Sequence, residues 1–231
     1  ARRQTGIVGT GPGAAGGVRY IPIMGEDEAE NFIAAMSKRL SETDRLLPGG
    51  YVYLSDLLGT PSVLRQIGRL IATQYREAHV DAVMTVATKG IPIAQSVSQY
   101  LNVPFVIVRR DSKITEGSTV SVNYVSGSSA RIEKMELSKR SLPANSRVLI
   151  VDDFMKGGGT VNGMKALIDE FNAKMVGITV FAEGKFDGDR MVSEYTSLIR
   201  VDKVDTKANT LHATAGNFLD QNRQLLEVAG Q

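Results

Sequence analysis

The chain has 231 residues, enough for one large domain or for one medium domain with an appendage. Its hydrophobic content of 42% and charged content of 23% are typical of a globular protein, and its net charge of +2 is too small to indicate a nucleic-acid partner by itself. The absence of cysteine excludes disulfides and thiolate metal sites, and no apolar run approaches the roughly 20 residues that span a bilayer, so we expect a cytoplasmic protein without a membrane partner.

The order of predicted elements indicates an α/β fold. In chain order the sequence predicts a hairpin within residues 1–25, an amphipathic helix at 27–43, a strand running into a turn at 51–58, a helix from Thr60-Pro61 onward, a strand at 82–87, a helix at 91–101, a strand at 104–110, an antiparallel hairpin of 118–125 with 131–137, a strand at 147–153, a helix at 160–172, a strand at 175–182, a short helix at 187–195 and a last strand at 197–204. Strands that alternate with helices favour a central, mainly parallel sheet flanked by helices. We expect an N-terminal segment at 1–25, a main domain at 26–220 and a tail at 221–231.

The most informative stretch is VLIVDDFMKGGGT, residues 148–160. An apolar run ends on Asp152 and Asp153, three consecutive glycines follow, and Thr160 opens a helical pattern. Ligands of open α/β sheets bind beyond the carboxyl ends of the strands. The two acids would therefore face ribose hydroxyls, and backbone amides at the helix N-terminus would face a phosphate. Because adjacent carboxylates have no evident packing role, a phosphorylated sugar is favoured over a simple turn.

A second loop, ATKG at residues 87–90, follows another predicted strand at the same edge of the sheet. Its glycine and lysine suit either a second phosphate site or an ordinary turn between strand and helix. Together, the two loops would suit a ligand that carries a 5′-phosphate and a pyrophosphate.

These motifs resemble those of type I phosphoribosyltransferases. VLIVDDFMKGGGT resembles their phosphoribosyl pyrophosphate signature, ATKGIPIA their pyrophosphate loop, and VPFVIVRR the strand that follows. PGAAGGVRYIP, LPGGYVYLSDLLG and TEGSTVSVNYVSGSS resemble the purine operon repressors of Gram-positive bacteria, which are regulators built on this domain. The resemblance implies a type I phosphoribosyltransferase fold with a short N-terminal wing. It also implies a DNA-binding transcriptional repressor of purine biosynthesis genes that senses phosphoribosyl pyrophosphate as an inducer.

The resemblance also implies a ligand site without catalytic residues, without a metal held by the protein and without a cofactor for chemistry. The effector would bind with or without Mg²⁺, and a compact multi-phosphate nucleotide would compete for the site. The protein would be a homodimer that binds operator DNA in its full-length form. The implied ligand-binding residues are Tyr51, Ala87, Thr88, Lys89, Gly90, Arg109, Arg110, Asp152, Asp153, Phe154, Met155, Lys156, Gly157, Gly158, Gly159 and Thr160.

Two departures from the family pattern leave alternatives open. Lys156 stands where many transferases carry a threonine, and a lysine adds affinity for phosphate without adding catalysis. The repressors begin with a winged-helix domain, but here only residues 5–23 resemble its wing, so that domain either has been removed or is missing from this sequence. Arg2, Arg3 and Arg19 would contact DNA phosphates or simply be solvated. The alternatives are an active purine phosphoribosyltransferase of the xanthine or adenine type, and a dimeric scaffold with a vestigial site.

Overall fold

The computed structural model describes residues 6–10, 18–110, 117–126 and 131–229. Within these residues the strands are β1 (Gly6–Thr10), β2 (Val18–Pro22), β3 (Leu46–Leu47), β4 (Tyr51–Val52), β5 (Ala82–Val86), β6 (Phe105–Val108), β7 (Thr119–Val125), β8 (Ile132–Ser138), β9 (Arg147–Met155), β10 (Lys174–Gly184), β11 (Thr196–Asp205) and β12 (Thr210–Ala215). The α-helices are α1 (Glu26–Leu40), α2 (Ser55–Leu58), α3 (Pro61–Gln74), α4 (Gly90–Leu101), α5 (Gly159–Glu170) and α6 (Phe218–Ala229), and Thr43–Arg45 form a short 3-10 helix.

The centre of the molecule is a six-stranded sheet with the order β12-β11-β10-β9-β5-β6. Neighbouring strands from β6 to β11 are parallel, and β12 alone runs antiparallel to its neighbour β11. Every residue of β5 is buried. The strands are continuously apolar because both faces of this parallel sheet are covered.

Helices cover the two faces of the sheet unequally. Helices α1, α3, α4 and α6 pack on one face, where Leu149 of β9 is buried among them. Helix α5 and the β7–β8 hairpin pack on the other face, where Ile150 of β9 is buried. Successive residues of a strand point to opposite faces, so the VLIV run supplies both cores. The predicted fold class and the predicted antiparallel hairpin are confirmed.

Three predicted elements differ from the structure. Residues 51–58 form only the short strand β4 and then helix α2. The strand ends there because the Tyr53 N–H donates a hydrogen bond to the carbonyl of Arg45. The predicted helix at 187–195 is wrong: this segment is irregular, because the Met191 N–H donates to the carbonyl of Gly157 in a neighbouring loop instead of closing a helical turn. Strand β12 was not predicted, although its Leu211 and Ala213 are buried alternately.

The two ends of the chain bear on the expected domain limits. β1 and β2 pair antiparallel, which is the hairpin that the glycine-rich N-terminal sequence suggests. Arg2 and Arg3 lie outside the described residues, and of Arg19 the structure describes only the backbone in β2. At the other end, Leu226 of α6 is fully buried in the core, so the boundary expected after residue 220 falls inside a core helix. None of the helices described is both long enough and apolar enough to cross a membrane.

Candidate functional site

The loops that follow β5 and β9 line a cleft of about 790 Å³ at the carboxyl edge of the sheet. A second, smaller cavity of about 340 Å³ adjoins it and shares Lys89, Arg110 and both aspartates with it. Three cations (Lys89, Arg110 and Lys156) and three acids (Glu133, Asp152 and Asp153) line the larger cleft. The cleft therefore contains cations and acids in equal number, which suits a ligand that presents both phosphate and hydroxyl groups.

The loop between β9 and α5 forms the floor of this cleft, and we call residues 156–160 the phosphate loop. Gly158 caps α5 with a φ of +80°, a conformation that favours glycine, and a Cβ there would lie 2.9 Å from Val192 Cγ2. Helix α5 then begins at Gly159, and the first backbone N–H groups of a helix have no carbonyl partner within it. These amides and the helix dipole make the phosphate loop suited to an anion.

A network of side chains ties the β7–β8 hairpin to the phosphate loop. Arg110 Nη2 donates to Thr160 Oγ1 at 3.3 Å, and Arg110 Nε lies 3.9 Å from Glu133 Oε2. The same oxygen of Glu133 accepts a hydrogen bond of 2.7 Å from the Tyr124 hydroxyl. Burial, reinforced by the bond to Glu133, raises the pKa of Tyr124 to about 12. Its phenol therefore stays protonated and donates at neutral pH.

The two aspartates at the end of β9 occupy different environments. Asp152 is only 4% exposed, and its Oδ1 accepts the backbone N–H of Asp153 at 2.9 Å. Burial first, and then the neighbouring charge of Asp153, raise the pKa of Asp152 well above its ordinary value. Asp153 is only partly buried; burial raises the pKa of its carboxyl, and a hydrogen bond with the Asp152 side chain, followed by the charge of Lys89, opposes that rise. Asp153 is thus the more accessible carboxylate of the pair.

The ATKG loop, residues 87–90, connects β5 to α4. Ala87, Thr88 and Lys89 line the smaller cavity, and the Ala87–Thr88 peptide bond is cis. Gly90 is the first residue of α4, and a Cβ on it would lie 2.1 Å from Thr85 Oγ1 and 3.0 Å from Asp152 Oδ1. Since real Cβ atoms essentially never approach closer than 3.0 Å, only glycine permits this packing.

The third side of the cleft is the segment that contains β3 and β4. Tyr51 is 62% exposed, lines the cleft, and has the Lys156 ammonium 5.9 Å from its ring centroid. Behind it, buried Arg45 donates to both carboxylate oxygens of Asp56, at 2.8 and 2.9 Å, and to the carbonyl of Tyr53. These hydrogen bonds lower the pKa of Asp56 and hold the segment in place.

The structure gathers nearly all of the predicted ligand-binding residues at this one edge. Tyr51, Lys89, Arg110 and all residues from Asp152 to Thr160 line the larger cleft, and Ala87 and Thr88 line the smaller cavity. Two predicted residues line neither cavity: Gly90 is buried at the start of α4, and Arg109 is exposed with its backbone paired to Glu136 in an isolated bridge.

Sequence reasoning missed several residues of the site. Glu133 and Tyr124 lie on the paired strands of a hairpin, and only the register that places them opposite each other brings them to Thr160. Phe186 also lines the cleft, one residue before the segment that was wrongly predicted to be helical. Thr85 is a buried strand residue that contacts the start of α4. Its position five residues before Gly90 is the sequence signal that could have predicted this contact.

Comparison with known proteins agrees with this geometry. Residues 54–214 match the phosphoribosyl transferase domain family. The purine biosynthesis transcriptional activator PurR of Lactococcus lactis subsp. lactis is 54% identical over 215 residues, which are 93% of this chain and 79% of that protein. The purine biosynthesis transcriptional repressor PurR of Bacillus subtilis is 55% identical over 214 residues, which are 93% of this chain and 75% of that protein.

A solved structure shares the fold at lower identity. Adenine phosphoribosyltransferase from Rhodothermus marinus superposes with a TM-score of 0.59 at 22% identity, covering 66% of this chain and 87% of that one. This likeness concerns the fold alone.

Proposed function

The chain belongs to the phosphoribosyl transferase domain family and, within it, to the PurR regulators of purine biosynthesis, and from this membership we propose that its cleft binds phosphoribosyl pyrophosphate as an effector without transferring it. The observation that carries the proposal is the meeting of three groups in one cleft: the phosphate loop at the start of α5, the partly exposed Asp153, and the ATKG loop with Lys89.

Each part of the effector would have a chemically matched partner. The 5′-phosphate would take the amides of the phosphate loop, with Arg110 and the Thr160 hydroxyl beside it. The ribose hydroxyls would donate to a carboxylate at the end of β9, and the pyrophosphate would lie toward Lys89 in the smaller cavity. The described residues contain no group of three or more His, Cys, Asp or Glu that could hold a metal ion. We propose that any Mg²⁺ enters bound to the pyrophosphate, because proteins commonly hold Mg²⁺ through one or two carboxylates together with substrate phosphates.

Two of the three acids of the cleft are already engaged by protein groups, which favours sensing over transfer, and the third, Asp153, is assigned here to the ribose hydroxyls. Glu133 already accepts a hydrogen bond from the Tyr124 hydroxyl and lies beside Arg110. Asp152 is buried and accepts a hydrogen bond from the backbone N–H of Asp153. Neither is free to act as a general base toward an incoming nucleobase, which proton transfer would require. The second candidate, an active purine phosphoribosyltransferase, is favoured by the cleft volume of about 790 Å³, which leaves space for a base beside Tyr51 and Phe186.

Two measurements on one preparation separate the candidates. Calorimetry with phosphoribosyl pyrophosphate and Mg²⁺ should show saturable binding that Asp153→Ala weakens and that Glu170→Ala, which removes an exposed acid from the far end of α5, leaves unchanged. Incubation of the same protein with phosphoribosyl pyrophosphate and each purine base should yield no nucleotide. Efficient nucleotide formation would overturn the sensor proposal in favour of the enzyme.

The regulatory output is proposed from the same membership. We propose that the full-length protein is a cytoplasmic homodimer that binds operator DNA and represses purine biosynthesis genes. The effector would lower DNA affinity by binding one conformation more tightly than another, and a multi-phosphate nucleotide would compete with it. One relative is named an activator and another a repressor at nearly equal identity, so repression as opposed to activation of transcription needs its own test. In a reporter assay, deletion of the gene should raise transcription from the operator; a fall would identify an activator.

A further inference from the structure

We infer that Arg190 is a positioning residue for the phosphate loop: paired with the buried carboxylate of Glu183, it holds residues 185–195 against that loop and so determines how well the loop binds a phosphate. Arg190 and Glu183 line neither cavity of the candidate site. The inference deepens the proposed function and rests on it, because it explains how one part of the same site is held in its binding conformation.

Residues 185–195, which we call the support segment, pack directly on the phosphate loop. The Met191 N–H donates to the carbonyl of Gly157 at 2.9 Å. A Cβ on Gly158 would lie 2.9 Å from Val192 Cγ2, and Val192 is itself buried. Gly158 caps α5, so the support segment lies against the turn that orients the first amides of that helix. The conformation of the phosphate loop therefore depends on where the support segment lies.

Arg190 makes the contacts that fix the middle of the support segment. This segment contains neither helix nor strand, so it lacks the repeating backbone hydrogen bonds that fix a regular element. Arg190 Nη1 donates to Glu183 Oε2, and Nη2 donates to the carbonyl of Gly184 at 2.8 Å. The guanidinium also lies 5.3 Å from the centroid of the Tyr195 ring. Because Arg190 directly precedes Met191, these contacts fix the residue whose N–H reaches the phosphate loop.

Glu183 is suited to anchor the support segment. It lies near the end of β10 and is only 1% exposed. Its Oε2 also accepts the Tyr195 hydroxyl at 2.5 Å, and its Oε1 accepts the Ser197 hydroxyl at 2.8 Å and Arg200 Nε at 3.2 Å. Hydrogen bonds to a buried charge are strong, and a carboxylate held by several donors has little freedom to move. Arg190 therefore ties the support segment to a fixed point on the central sheet.

Arg200 offers a matched control, because its guanidinium contacts the same carboxylate as that of Arg190. Arg200 lies on β11, which pairs with β10 and β12, and it lines neither cavity of the candidate site. Loss of either arginine removes one cation from Glu183, but only loss of Arg190 releases the support segment. A merely structural role of the cluster would make the two variants alike in ligand affinity, whereas positioning of the phosphate loop would separate them.

The first test is the affinity for phosphoribosyl pyrophosphate with Mg²⁺, measured by calorimetry on the full-length protein. Arg190→Ala should raise the Kd about tenfold, as expected if the displaced loop loses about one charge-assisted hydrogen bond to the 5′-phosphate. Arg200→Ala should leave the Kd within about twofold of wild type, and urea unfolding shows whether each variant is folded. Equal affinities of the two folded variants would overturn the inference.

A lysine at position 190 serves if the alanine variant does not fold. Arg190→Lys keeps the charge beside Glu183, but a single ammonium cannot reproduce the planar fork that reaches both Glu183 and the carbonyl of Gly184. Its Kd should rise about threefold, and a Kd equal to that of Arg200→Ala would count against the positioning role.

Hydrogen exchange without ligand separates failure of this inference from failure of the proposed function. The amides of Met191 and Asn162 donate to the carbonyls of Gly157 and Gly158. Both should exchange faster in Arg190→Ala than in wild type, and at the wild-type rate in Arg200→Ala. Unchanged exchange in Arg190→Ala would refute the positioning role even in a protein that binds the effector. Failure of wild type to bind phosphoribosyl pyrophosphate would overturn the proposed function, while the exchange rates would still decide the role of Arg190.

Discussion

Replacement of Gly90 by alanine tests how closely the ATKG loop must pack on the cleft. The new Cβ would lie 2.1 Å from Thr85 Oγ1, almost 1 Å inside the 3.0 Å that real Cβ atoms keep, so α4 or β5 must move. Overpacking of this kind costs about 1–3 kcal/mol, partly offset by the up to about 1 kcal/mol that alanine gains over glycine in a helix. We expect a net loss of about 1–2 kcal/mol, which is a fall in Tm of roughly 2–8 °C for a chain of this size.

The same displacement should weaken the ligand site. If the loop loses one charge-assisted hydrogen bond to the pyrophosphate, worth about 1.5–3 kcal/mol, the Kd for phosphoribosyl pyrophosphate should rise about ten- to a hundredfold. Urea unfolding gives the stability change and calorimetry on the folded variant gives the affinity.

Two variants control this experiment. Gly68→Ala produces an equally short contact, 2.1 Å to Ser96 Oγ, where α3 packs on α4 away from the cleft, so it should reduce stability and leave the affinity unchanged. Adding Thr85→Ala to Gly90→Ala removes the clashing oxygen and should recover part of both losses. Wild-type affinity in Gly90→Ala would refute the argument that the loop position is set by this contact.

Three further predictions concern stability. The raised pKa of Asp152 means that the folded state holds the carboxyl proton more tightly than the unfolded state does. The free energy of unfolding should therefore fall as the pH rises above about 4, the pKa in the unfolded state. Asp152→Asn should reduce this fall, and in thermal unfolding at pH 7 it should be more stable than the wild type. Gly158→Ala forces a side chain into a φ of +80° and within 2.9 Å of Val192, and should cost about 1–3 kcal/mol in urea unfolding. Arg45→Met removes the hydrogen bonds that the guanidinium donates to the Asp56 carboxylate and to the carbonyls of Arg39 and Tyr53, and it should lower stability by about 1–3 kcal/mol. An unchanged midpoint in urea unfolding would show that the segment of β3 and β4 does not depend on these bonds.

Much of this protein follows from local sequence patterns. The run VLIVDDFMKGGGT predicts a buried parallel strand, a glycine turn and a helix N-terminus, because each of those features depends on a few consecutive residues. The ATKG loop is predictable for the same reason. The sequence also brings the two loops to one edge, since the carboxyl ends of parallel strands lie together.

The rest depends on contacts between residues far apart in the chain. Residues 187–195 form no helix because Met191 bonds to the phosphate loop, and Glu133 joins the site only through the register of the β7–β8 hairpin. The two aspartates look equivalent in the sequence and both line the cleft, but Asp152, packed beside Gly90, is buried whereas Asp153 is only partly buried. The sequence by itself therefore determined the fold class and the two loops at one edge of the sheet, whereas the tertiary structure decided how deeply each carboxylate is buried, because burial depends on elements that meet only after folding.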